Sequence, residues 1–124
     1  MTDDLVAFLR ARLDEDEARA FHWHGLACEI FRRIGGGLNT MVAVVAMLHE
    51  APGAVCDCDG PARLLSDIGA KRLVLAEYEK EERVMERGHV TGWTEGGQAA
   101  RLTALRAFAA VYADHPDFRE EWRP

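Results

Sequence analysis

Six side chains with nitrogen or sulfur donors gather between residues 22 and 58: His22, His24 and Cys28 before the triple glycine Gly35-Gly36-Gly37, then His49, Cys56 and Cys58 after an apolar segment. Folding this stretch back on itself would bring two sets of donors together, and a tetrahedral zinc ion takes four such groups at about 2.0–2.3 Å. Zinc is therefore the cofactor this constellation allows. The spacing is tighter than in ordinary structural sites, since a single residue separates His22 from His24 and Cys56 from Cys58, where about two to four is usual. The competing account makes Cys28 a small buried apolar residue, puts His22 and His24 at a helix end, and leaves Cys56 and Cys58 as loop thiols.

Other arrangements lack a partner that their chemistry requires. His49-Glu50 would begin a His-Glu-x-x-His zinc protease motif, but the second histidine position is Gly53. The run Ile34 to Thr40 has the glycines of a phosphate-binding loop without its lysine and follows no clear strand. Asp114 and His115 are adjacent, so their side chains seldom face each other, and no nucleophile accompanies them; helix termination explains both. With no acid, base and nucleophile set to name, the expectation is a non-enzymatic protein that acts through protein–protein contacts or self-association. Metal binding is the alternative.

Charge narrows the partners. Lys and Arg number 15 against 21 Asp and Glu, a formal net charge of -6 that repels a phosphate backbone and an anionic membrane alike. The basic clusters Arg32-Arg33 and Lys71-Arg72 are not set among stacking aromatics, so nucleic acid is not an expected partner. The longest apolar run, Met41 to Leu48, is far short of the roughly 20 residues that span a bilayer. The start Met1-Thr2-Asp3-Asp4 has no basic, apolar leader, which gives an expectation of a cytoplasmic protein with reduced thiols.

The elements that must position these residues are helices. The 124-residue chain, with 48% hydrophobic and 29% charged residues, has the composition of one soluble globular domain with a core of its own. Its organising stretch is Pro61 to Arg87. Asp59 can cap its first N–H groups, Pro61 suits the first turn, and Gly88 suits the left-handed position past its end. Leu64, Ile68, Leu75, Tyr78 and Met85 fall on one stripe of that helix. Leu73 and Val84 lie nearly opposite, so the helix is expected to be covered on more than one side, by its own fold or by a second chain.

A first helix is expected from about Asp3 to Ala20, capped by Thr2, with Leu5, Phe8, Leu9 and Leu13 buried. A third is expected over Gln98 to Ala113, with Leu102, Leu105, Phe108, Ala109 and Tyr112 on one face. The connection Gly88 to Gly97 reads as a loop around Trp93, whose ring is expected to fold onto the core, with an exposed binding aromatic as the alternative. Asp114 or Asp117 can cap a last short turn, and the tail is expected to bury Phe118 and Trp122. Leu38 to Glu50 suits a fourth, buried helix, but its valines suit a strand as well. The fold class is thus mostly α, a single-domain bundle of three to four helices, with a short β-hairpin in residues 26–50 as the alternative.

Four stretches of the chain resemble a known family. The opening Asp3 to Glu17, the closing Tyr112 to Pro124, and between them Pro61-Ala62-Arg63-Leu64-Leu65 and Ala70-Lys71-Arg72 are similar to small actinobacterial proteins classed as domain of unknown function 6221. The resemblance covers the termini and the central helix and does not extend to residues 22–58. Gly60, after Asp59, and Gly69, in mid-helix, depart from it. It implies no activity, and no functional residue is carried over.

Overall fold

A computed structural model of the chain describes residues 2–20 and 60–124. Three α-helices lie among them: α1, Thr2–Ala18; α2, Gly60–Glu86; and α3, Gly92–Ala110. A 3-10 turn follows at Glu120–Trp122. No strand occurs among the described residues, so the expectation of a mostly helical protein holds. The choice between helix and hairpin in residues 26–50 falls outside them.

The chain divides into two compact units, Met1–Asp14 with Gly69–Pro124, and Glu15–Ile68. In the first, α2 runs antiparallel to α1, as the ion pairs Arg72–Asp14 and Arg10–Glu79 show. It is antiparallel to α3 as well: the Gln98 amide donates to the Tyr78 carbonyl oxygen at 3.0 Å, while the Lys71 ammonium lies 5.8 Å from the centre of the Phe108 ring. One core serves all three segments, built from Leu5, Phe8 and Leu9 of α1, Leu75 and Tyr78 of α2, Leu105 and Ala109 of α3, and Trp122. Leu5, Leu9, Leu13 and Leu105 are almost wholly buried, each contributing about 1.5–3 kcal/mol of transfer free energy. In the second unit Ala20, Pro61 and Ile68 are buried.

Helix ends follow local chemistry. Asp3 and Asp4 place negative charge on the first turn of α1. Past α2, Gly88 takes φ +93°, the left-handed conformation expected of it.

The start of α3 departs from expectation. Of the expected loop Gly88 to Gly97 only Gly88 to Thr91 lie outside a helix; α3 begins at Gly92 and carries Trp93 in its first turn. Thr91 is the reason. Its hydroxyl accepts the Thr94 N–H at 3.2 Å and the Thr94 hydroxyl accepts the Thr91 N–H at 2.8 Å, a reciprocal box that satisfies two helix-start donors and outweighs the glycines behind it. Helix α3 also ends sooner than expected, at Ala110, and Val111 to Asp114 continue as turns.

Of the two residues opposite the buried stripe of α2, Val84 is half-buried and Leu73 is 70% exposed, on the side away from the core that α1 and α3 build. One further expectation is corrected. The last turn is not capped by Asp114 or Asp117; Arg119 precedes it and makes no side-chain cap. The tail does fold back: Trp122 is buried and Phe118 half-buried.

Candidate interaction surface

The six proposed metal ligands, His22, His24, Cys28, His49, Cys56 and Cys58, lie outside the described residues. Among the described residues no three His, Cys, Asp or Glu side chains come close enough to hold a metal ion. The described histidines, His89 and His115, are both distant in sequence from that constellation.

His115 has a role beyond ending a helix. The Arg12 guanidinium donates to His115 Nδ1 at 3.0 Å, and the Asp117 backbone N–H donates to the same nitrogen at 3.1 Å. Neither donor can accept, so Nδ1 carries the lone pair and the ring proton sits on Nε2. The Asp117 carboxylate stands 3.9 Å from both Arg12 and His115. Arg12 also stacks 5.2 Å over the Phe8 ring, which in turn packs at 4.9 Å on Trp122. Arg119 pairs with Asp4 at 2.8 Å. These contacts fasten the tail to α1, leaving beside it an open groove of about 500 Å³ over Ala7 and Ala11. Sequence reasoning misses Arg12. Its signal is there all the same: it sits one turn beyond Phe8 and Leu9, on the stripe that α1 buries.

Buried polar groups elsewhere hold helices together. Gln98, inside the core, donates to the Tyr78 carbonyl and to the Glu82 carboxylate at 2.7 Å. Burial pushes the Tyr78 phenol above its ordinary range; a hydrogen bond with Thr2 works against this and Glu82 adds to it. Arg123, hydrogen-bonded to Glu120 on the surface, lowers that carboxyl.

The outward face of α3 is of a different kind. Trp93, Gly96, Ala100, Thr103, Ala107 and Val111 are all exposed, and at 100° per residue they fall within about 80° of arc, opposite the buried Gln98, Leu105 and Ala109. Trp93 is 90% exposed and Val111 70%. The stripe carries no charge, and its one hydroxyl, on Thr103, donates to the Ala99 carbonyl at 3.1 Å. No neighbouring atom stands within 4 Å of where a Cβ on Gly96 would sit. Arg106 turns away from the stripe, lining a cavity of about 130 Å³ with Thr2, Leu5, Leu102, Glu121 and Trp122. Solvated helix faces are normally rich in charge; a charge-free stripe about five turns long, headed by an exposed indole, is shaped for contact.

A family model described as "Family of unknown function (DUF6221)" matches residues 2–124. The match runs through residues 22–58, where the resemblance noted above stops. No curated protein and no solved structure matches the chain.

Proposed function

The chain belongs to this family of unknown function, a membership that brings no activity with it, and we propose that the protein acts by contact with other protein chains rather than by catalysis. One observation carries this: Trp93 is held in a capped first helical turn with its ring in solvent. An indole costs free energy when left in water, and exposed tryptophans fixed on rigid elements are the side chains that dominate binding energy at protein interfaces. The exposed Leu73 and Val90 add apolar surface to the same unit. No described helix is long and apolar enough to cross a membrane, and the net charge of -6 disfavours anionic partners. The contact proposed is with protein, in the cytoplasm.

Light scattering at several concentrations, together with a pull-down of the untagged chain from a native extract, tests this. Association with itself or with a defined protein is expected. A chain that stays monomeric and alone in both would end the proposal.

The zinc alternative rests on the donor set His22, His24, Cys28, His49, Cys56 and Cys58. Elemental analysis of protein purified without an affinity tag decides it: near-stoichiometric zinc with loss of stability on chelation supports it, and metal-free protein indifferent to chelator removes it.

A further inference from the structure

We infer that residues 115–124 form a strap that acid releases from α1, with His115 as its latch. This stands apart from the contact role proposed above.

The latch works only with a neutral ring. His115 Nδ1 accepts from the Arg12 guanidinium at 3.0 Å and from the Asp117 backbone N–H at 3.1 Å, so the ring proton is already on Nε2. A second proton has one place to go, which is Nδ1. There it removes the acceptor of both bonds and turns an N–H toward a guanidinium whose side chain is 8% exposed. Among the described residues two charged groups meet the ring: Arg12 from α1, and the Asp117 carboxylate, 3.9 Å away, from the strap itself. Asp117 is 77% exposed, so water screens what it offers the new charge. The Phe8 ring, packed at 5.8 Å from the imidazole, carries no charge.

The other fastenings are weak or opposed. The backbone hydrogen bonds of the strap are local, from His115 to Tyr112, Phe118 to His115 and Trp122 to Arg119, and none of these reaches α1. Arg119 pairs with Asp4 at 2.8 Å, but both side chains are about half exposed, where ion pairs contribute little. Arg123 turns its guanidinium to Glu120, inside the strap. Phe118 and Trp122 pack on Phe8 with ring centres at 6.2 and 4.9 Å, yet the Trp122 indole N–H is buried without an acceptor and regains one in water. Apolar packing therefore holds the strap by a narrow margin, and the bond between Arg12 and His115 sets the balance.

Direction follows from linkage. The docked strap takes only the neutral imidazole, whereas the released strap takes both forms. Docking is thus fully present while His115 is neutral and fades as pH falls through the range of about 8 to 5 in which histidine gains its charge. Release bares the Phe8 surface that Phe118 and Trp122 cover, so acid uncovers apolar surface on α1.

Nuclear magnetic resonance of the full, nitrogen-15-labelled chain tests this. The indole N–H signal of Trp122, assigned by its loss in Trp122→Phe, is followed from about pH 8 to about pH 5.5, where carboxylates stay largely ionised, with circular dichroism alongside. On acidification the wild-type signal is expected to move toward that of an exposed indole, the released fraction rising at least about tenfold while the helical signal holds. His115→Asn, whose side-chain oxygen stands near the place of Nδ1 and takes no proton, should keep the strap docked at both ends of the range. Asp117→Asn removes the nearby carboxylate and should deepen release at the acid end. A wild-type signal that does not move overturns the inference, and so does movement that His115→Asn shares, because another group then titrates. If His115→Asn is loose throughout, Asp117→Asn decides: a larger acid release than in the wild type sustains the latch, and an equal or smaller one removes it. Helical signal lost in step with the indole shift means that acid unfolds the whole chain, which overturns the inference too.

Discussion

Arg12 and His115, 103 positions apart in sequence, meet at 3.0 Å, where the guanidinium donates to the imidazole Nδ1. The arginine side chain is 8% exposed, so its charge is neutralised by neighbours rather than by water. Arg12→Ala removes this hydrogen bond and the stacking on Phe8, and is expected to cost about 2–3 kcal/mol. In urea unfolding, a double-mutant cycle with His115→Ala should show a coupling of about 1 kcal/mol. Limited proteolysis should cut the tail of Arg12→Ala sooner than that of the wild type.

Two glycines should respond to alanine with opposite sign. Gly69 lies inside α2 with no neighbour within 4 Å of where an alanine methyl would sit, so Gly69→Ala is expected to stabilise by about 0.5–1 kcal/mol. Gly88 sits at φ +93°, and Gly88→Ala is expected to destabilise by about 1 kcal/mol despite the same open space. Thermal unfolding of the two variants side by side reads both.

Thr91→Ala breaks the reciprocal bonds with Thr94 and is expected to cost about 1 kcal/mol. Hydrogen exchange should quicken in the first turn of α3 while the turns around Leu105 keep their protection. If Trp93 presents a binding surface, the same variant should also weaken association, since the indole loses its fixed position.

Tyr78 predicts a loss of stability in alkali. Its phenol is raised above 10.0 by burial, so above that pH the unfolded chain gives up a proton that the folded chain retains. Stability is fully present below pH 10.0 and is lost as pH rises toward the folded-state value. Tyr78→Phe removes this ionisation and should flatten that part of the pH–stability profile, at the expense of the hydrogen bonds with Thr2 and Glu82.

What the sequence determined by itself was local in origin. The apolar spacing of α1 and α2, the left-handed glycine at 88 and the buried stripe Ile68, Leu75 and Tyr78 all depend on residues within a few turns of one another, whose effects are additive along a helix. The start of α3 is local too, but in a reading of residue types alone three nearby glycines outweigh the Thr91–Thr94 box and put Trp93 in a loop packed on the core. Only tertiary structure could decide that Leu73 stays in water, that Arg12 finds His115 across the chain, and that the indole of Trp93 heads a charge-free face opposite Gln98 and Leu105. Each depends on which side of a helix the single core occupies, and that direction is chosen by where distant segments pack, not by any spacing within one of them.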